Sequence, residues 1–223
     1  MNTLDDQQRE SFASELKRAC EFFDIVVSSQ PIDRLLEYLA LFIKWNKAYN
    51  LSAIREPREM LSKHLIDSLS IVSYLANEPE QRRLLDVGTG GGLPGIVLAI
   101  VFPDREFTLL DSAGKKMRFL FQVKQALTLE NVTIENRRVE SYRPDDLFDG
   151  VVSRAFASLQ NMTSCCHHLL REGGNFWAMK GLSPDDELRE LEKHYIVDAC
   201  HKIALPQDIG ERCLVVLKTD QSQ

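Results

Sequence analysis

Ten residues, Asp86-Val87-Gly88-Thr89-Gly90-Gly91-Gly92-Leu93-Pro94-Gly95, join the end of one apolar run to the start of another through a glycine-rich turn. Leu84-Leu85 before them have the character of a buried strand, and Ile96-Val97-Leu98-Ala99-Ile100 after them that of a buried helix. Glycines at such a junction let the chain bend sharply and bring backbone N–H groups against a ligand with no Cβ in the way. The turn therefore reads as a cradle for a nucleoside cofactor. Asp111 follows the apolar run Phe107-Thr108-Leu109-Leu110, where a carboxylate accepts hydrogen bonds from both ribose hydroxyls of an adenosine. The competing reading of Asp111 is a cap for a helix that begins near Ala113. Glu140, with the Val139 N–H beside it, either brackets the adenine or is a solvated loop residue.

Two cofactors can claim the cradle. Gly90, Gly92 and Gly95 fit the G-x-G-x-x-G dinucleotide fingerprint, with Asp111 in the position of its acidic partner. Gly88, Gly90 and Gly92 fit instead the G-x-G-x-G turn of S-adenosylmethionine-dependent methyltransferases. The second spacing lets the strand end at Val87, whereas the first extends it through a glycine that would weaken it. Asp86 points the same way, because a carboxylate repels a pyrophosphate and attracts an ammonium or sulfonium. S-adenosyl-L-methionine is the favoured donor and a nicotinamide dinucleotide its rival.

The elements that must position these residues are helices first, then alternating strands and helices. Phe12, Leu16, Ala19, Cys20 and Phe23 recur at helical spacing, as do Ile32, Leu35, Leu36, Leu39, Phe42 and Ile43 in a second helix from Pro31. A third helix starts near Pro57, with Leu61, Leu65, Leu69 and Val72 on its buried stripe and Lys63, His64 and Asp67 off it. From residue 83 the pattern predicts strands ending at Val87, at 107–110, 132–135, 148–153, 175–179, 196–203 and 213–217. Helices are predicted from Pro94 and at 115–127, 159–170 and 184–194. Such alternation builds a Rossmann-like α/β fold, a mostly parallel seven-stranded sheet with helices on both faces. We expect residues 1–80 to form a helical extension and 81–223 the cofactor-binding domain. Ligands of such sheets collect at the carboxyl ends of the strands, which gathers the cradle, Asp111, Arg138 to Glu140, Ser153-Arg154 and Lys180.

Composition narrows the field. The 223 residues carry a net charge of −6, which argues against holding long nucleic acid by bulk electrostatics. Residues 113–154 are the exception, with 8 basic and 6 acidic side chains. Lys115, Lys116, Arg118 and Lys180 are candidates for phosphate contacts; the bland reading of Lys180 is an exposed lysine with no role. His64 and Asp67 either close a substrate pocket or form a pair on a helix surface. Trp45 reads as a core anchor before a stacking platform. Five cysteines without C-x-x-C point to free thiols, and Cys165-Cys166-His167-His168 cannot close a tetrahedral metal site by itself. No metal is expected. The N-terminus lacks a signal-peptide pattern and no apolar run approaches a membrane span, so a cytoplasmic protein is expected.

Four segments carry a family resemblance: the cradle, Leu109-Leu110-Asp111-Ser112, Val151-Val152-Ser153-Arg154-Ala155-Phe156-Ala157 and Met179-Lys180-Gly181. Together with Trp45-Asn46-Lys47-Ala48-Tyr49-Asn50-Leu51 and His64-Leu65-Ile66-Asp67-Ser68, they resemble the bacterial small-subunit ribosomal RNA guanine-N7 methyltransferases, also called glucose-inhibited division protein B. The resemblance runs from about residue 30 to the last strand. It implies methyl transfer from S-adenosylmethionine to N7 of one guanine of 16S ribosomal RNA, alone or in the small subunit, by a monomer. It implies further that Gly88, Leu93, Val139, Glu140 and Arg154 hold the donor; Gly90, Gly92 and Asp111 complete that set. Arg138, Arg154, Lys180, His64 and Asp67 are the candidates for the acceptor side. Gly91 stands where relatives often have proline or serine, a change expected to loosen the turn slightly.

Overall fold

The computed structural model describes residues 4–154, 156, 158–181, 184–191, 195–206 and 210–219. Helix α1 (Asp6–Phe22) opens on a capping box in which Asp5 and Gln8 satisfy each other's backbone N–H groups. Helix α2 (Ser29–Tyr49) ends at Asn50 in the left-handed conformation. Helix α3 (Pro57–Met60) runs into a π-helical turn (Leu61–Ile66) and then α4 (Asp67–Leu69), followed by α5 (Val72–Ala76).

The remainder alternates as β1 (Arg83–Val87), α6 (Gly95–Val101), β2 (Glu106–Leu110), α7 (Gly114–Ala126), β3 (Val132–Glu135) and β4 (Phe148–Ser153). Then come α8 (Leu159–Cys166), β5 (Leu170–Lys180), α9 (Asp185–Arg189), β6 (Tyr195–Ile203) and β7 (Arg212–Thr219). The seven strands form one sheet in the order β3-β2-β1-β4-β5-β7-β6. β1 through β5 pair in parallel, and β7 pairs antiparallel with both β5 and β6. Strand order reverses between β1 and β4, so their carboxyl ends open the crevice where ligands of such sheets bind.

Two predicted boundaries moved. The helix expected over 159–170 stops at Cys166, passes through a 3-10 turn at His167–Leu169, and Leu170 already pairs with Phe148. Consecutive Leu169 and Leu170 satisfy a helical period and a strand equally, and the β4 partner decides between them. The helix expected over 184–194 is described only as Asp185–Arg189, and residues 192–194 lie outside the described residues.

One apolar cluster unites α1, α2 and the π-turn region with α6, α7 and one face of the sheet, including Leu16, Leu39, Phe42, Leu65, Ile96, Phe119 and Trp177. The N-terminal helices thus share the core of the sheet. The opposite face packs Leu85, Val151, Met162, Phe176 and Val215. Among the described residues no helix is long and apolar enough to cross a membrane.

Candidate active site

The cradle follows from β1 ending at Val87. Gly88 and Gly90 adopt φ of +68° and +61°, conformations closed to most side chains, and they fold the chain back over the strand end. Gly88 N–H donates to Leu110 O at 2.9 Å, which holds the turn to the end of β2. Asp111 sits beside it. Its Oδ2 accepts the Gly90 N–H at 3.0 Å and lies 3.5 Å from Lys116 Nζ, and its Oδ1 accepts the Ala113 N–H at 2.8 Å. The capping role and a cofactor role are therefore compatible, since Oδ1 keeps a second lone pair for a ribose hydroxyl. Lys116 pairs with Asp111 at the edge of the cradle, its side chain 37% exposed.

Beside the turn lies a cleft of about 200 Å³ lined by Val87, Gly88, Leu110, Asp111, Arg138, Val139, Glu140 and Phe156, among others. Apolar Val87, Leu110, Val139 and Phe156 suit a flat heteroaromatic ring, and the two carboxylates suit hydroxyl and amino donors, so these residues fit an adenosine-containing donor. Gly92 and Leu93 do not line it. Their N–H groups close the turn on Thr89 O at 2.8 and 3.0 Å, and the Leu93 side chain is buried in the core.

Two expectations about the turn are corrected. Asp86 does not face the cleft: it is fully buried, and its Oδ2 accepts the Thr89 hydroxyl at 2.6 Å and the Gly95 N–H at 2.8 Å. Oδ1 has no hydrogen-bond partner, and burial raises the Asp86 pKa to about 6. Its work is to shape the turn from within. Gly91 does not loosen the turn either. A Cβ there would collide with the Phe42 ring, and Tyr38 Oη donates to Gly91 O at 2.6 Å, so α2 clamps the cradle from above. Tyr38, fully buried, falls between the apolar positions that mark the helix stripe, and no local pattern singles it out.

A second cavity, about 380 Å³, is lined by Ile54, Lys63, His64, Asp67, Arg154, Met179, Lys180, Gly181 and Arg212. At its centre Asp67, 2% exposed, takes Arg154 Nη1 on Oδ2 at 3.0 Å and Arg212 Nε on Oδ1 at 2.6 Å. Arg154 follows β4, Arg212 opens β7, and Asp67 follows the π-turn. Arg212 was missed by sequence reasoning, because its partner lies 145 residues away. The Arg154 side chain faces this cavity and does not line the cleft beside the cradle. Ala155 and Ala157 of the same motif lie outside the described residues.

His64 and Asp67 are not a surface pair. Both are buried, because the π-turn widens the helix just where a regular one would have turned them outward. His64 Nε2 is 2.9 Å from Ser52 Oγ and Nδ1 is 3.1 Å from Lys63 O. A carbonyl only accepts, so Nδ1 carries the proton and Nε2 accepts from Ser52. Burial and the Arg154 charge lower the His64 pKa to about 4, and the ring is neutral at physiological pH. Lys180 is not an exposed strand-end lysine: its side chain is 13% exposed, with Nζ 2.9 Å from Glu187 Oε2. Arg138 is exposed at the cleft rim, away from the second cavity. Trp45 packs its ring 5.7 Å from Phe119, as a core anchor does, yet is only partly buried. His167 and His168 contact Tyr195 and Tyr142 O, and among the described residues no metal-binding cluster is found.

Comparisons with known proteins give the family. Residues 31–215 match the family model described as GidB, rRNA small subunit methyltransferase G. A ribosomal RNA small subunit methyltransferase G of Saccharophagus degradans is 57% identical, covering 96% of this chain and 95% of that protein. One from Stutzerimonas stutzeri is 50% identical over 94% of this chain and 96% of that protein. Among solved structures, the glycopeptide N-methyltransferase MtfA complexed with S-adenosyl-L-methionine shares the fold, with a TM-score of 0.56 and 16% identity over 69% of this chain and 94% of that one. The dinucleotide reading of the cradle is set aside, and the chain belongs to the rRNA small subunit methyltransferase G family of S-adenosylmethionine-dependent methyltransferases.

Proposed function

We propose that this protein transfers the methyl group of S-adenosylmethionine to N7 of a guanine in 16S ribosomal RNA, acting as a monomer in the cytoplasm. In this reading residues 81–223 bind the donor and 1–80 form the cap that completes the acceptor pocket. The observation that carries it is the state of the ionisable groups in the second cavity. Both Asp67 oxygens are held by guanidinium groups, the neutral His64 has its Nε2 lone pair on the Ser52 hydroxyl, and Lys180 is paired with Glu187. Among the described residues no side chain there is poised to remove a proton. Guanine N7 needs none removed, because it presents a lone pair in the neutral base.

When bound, S-adenosylmethionine supplies an activated methyl on a sulfonium. The chain's own contribution is placement: Asp111 and Glu140 orient the nucleoside, and the cradle fixes its depth. Arg154 and Arg212 set the acceptor edge. A donor aimed at N7 would block attack, so these guanidiniums serve O6 or a phosphate. Orientation of this kind can supply on the order of 7–11 kcal/mol. The test is to incubate the protein, labelled donor and small ribosomal subunits or 16S RNA, then map 7-methylguanosine by mass spectrometry. Label at a guanine N7 supports the reading; label on another atom, or only on small metabolites, overturns it.

A further inference from the structure

The five cysteines are all free thiols, and two of them meet: Cys200 Sγ on β6 lies 2.9 Å from Cys213 Sγ on β7. The register explains the meeting. β6 and β7 run antiparallel with Cys200 opposite Val215 and Lys202 opposite Cys213, so the two cysteines are diagonal neighbours whose side chains leave the same face of the sheet. The ladder shifts register between Val197 and Ala199, just before Cys200. An irregularity of that kind sharpens the local right-handed twist, and twist draws the ends of one diagonal together.

The two thiols differ in what can reach them. Cys200 is exposed, whereas Cys213 is buried, and burial pushes its thiol up to about 12. The remaining cysteines form no comparable pair: Cys20 and Cys166 are buried, and Cys165 and Cys166 are consecutive on α8 and point in different directions. A disulfide needs its sulfurs at about 2.0 Å, so the bond between Cys200 and Cys213 closes with a movement of less than an ångström. The pair also borders the pocket around Asp67. Cys213 follows Arg212, whose Nε holds Asp67 Oδ1 at 2.6 Å, and stands opposite Lys180 in the β5 ladder. Arg212 and Lys180 both line that pocket.

We propose that Cys200 and Cys213 are a site of oxidation by hydrogen peroxide that closes to an intramolecular disulfide and slows the reaction at the pocket around Asp67. The Cys200 sulfur attacks one peroxide oxygen and the O–O bond breaks; the sulfur, oxidised by two electrons, becomes a sulfenic acid, and the thiol proton leaves with the departing hydroxide as water. The Cys213 sulfur then attacks the Cys200 sulfur. An S–S bond forms, the S–O bond breaks, and the Cys213 proton leaves with that hydroxide as a second water. An exposed thiol that reacts first and a buried thiol in contact with it favour this outcome, because the second sulfur intercepts the sulfenic acid before further oxidation. Shortening the sulfur contact shifts the opening residues of β7 against β6, and Arg212, next to Cys213 in the chain, carries the shift to Asp67. The effect on rate rests on the proposed methyl transfer to RNA; formation of the disulfide does not.

The test treats the full-length protein with hydrogen peroxide, removes the excess, alkylates the remaining thiols and maps peptides by mass spectrometry without reductant. A peptide pair joined through Cys200 and Cys213, lighter by two hydrogens and separated by dithiothreitol, supports the proposal. Sulfinic or sulfonic acid at Cys200 with no joined pair overturns it, and so does a disulfide between two molecules. Cys200→Ser changes an exposed side chain and should abolish the joined pair, whereas Cys165→Ser should retain it. The disulfide form should methylate small ribosomal subunits about tenfold more slowly than the reduced protein, the scale of a displacement below an ångström. Dithiothreitol should restore the rate, S-adenosylhomocysteine affinity should not change, and peroxide-treated Cys200→Ser should keep its untreated rate. A full rate in the disulfide form overturns the coupling to the pocket. Absence of methyl transfer by the reduced protein overturns the proposed reaction, while the peptide map still decides the disulfide.

Discussion

The cleft beside the cradle and the pocket around Asp67, the proposed donor and acceptor sites, lie at the same edge of one sheet and are built by different means. The cleft is assembled from neighbours: Gly90 and Asp111 are 21 residues apart, and Asp111 and Ala113 only two. The pocket is assembled from remote segments, with Asp67 joined to Arg154 across 87 residues and to Arg212 across 145. The cleft presents backbone and two carboxylates. In the pocket every described cation at its centre is neutralised. A cleft made of one βαβαβ run suits a common donor, and in the proposed function the pocket made by docking a helical layer onto the strand ends selects the substrate.

The sharpest way to break this contrast is Asp111→Ala. It removes the carboxylate that braces Gly90 and is proposed to meet the ribose, and S-adenosylhomocysteine affinity by calorimetry should fall about a hundredfold with the melting transition still cooperative. An unchanged affinity would reduce Asp111 to a helix cap. Asp67→Asn works on the other side. It leaves the Arg154 and Arg212 guanidiniums without their shared anion, and kcat on ribosomal RNA should drop roughly thirtyfold while donor affinity holds. A parallel loss of donor affinity would show that the two regions are one.

Gly91→Ser tests the contact between them, since its Cβ meets the Phe42 ring of α2. The variant should lose about 1–2 kcal/mol in urea unfolding. If it is as stable as the wild type, α2 does not clamp the turn.

The smallest effect is in pH. His64 titrates near 4 in the fold, below its ordinary value of 6.5, so the stability it contributes is present above 6.5 and is lost as pH falls toward 4. Asp86 is raised from 3.8 to about 6, so its contribution is present below 3.8 and is lost as pH rises through 6. The two oppose each other across pH 4–6. Asp86→Asn should therefore make the unfolding free energy from urea melts rise with pH between 4.5 and 6 relative to wild type, and His64→Gln should make it fall, by about 1 kcal/mol each. Slopes that do not diverge would remove burial as the cause of either shift.

How far the site could be read in advance follows the same division. The strand ends, the glycine turn and Asp111 are legible because a strand-turn-helix unit writes its period and its special φ values within some thirty residues. Asp86 misled, because residue type alone does not say which side of the turn a carboxylate occupies. His64 and Asp67 were seen and their burial was not, because a π-turn leaves no period for a 3.6-residue template to detect. The bland reading of Lys180 as an exposed lysine fails because Glu187, its partner, belongs to the following helix.

By itself the sequence determined the reaction class: a glycine-rich turn after an apolar run, with an acidic residue after the next, is local chemistry that survives without knowledge of the fold. Its quoted motifs also carried the family, which the comparisons bear out over residues 31–215. Only the tertiary structure decided that Tyr38 and Phe42 close over Gly91 and that Asp67 joins two arginines. Each of these depends on where remote segments meet. That meeting is set by burial of the whole apolar surface of the helices and sheet, a quantity to which every residue contributes and which no short spacing records.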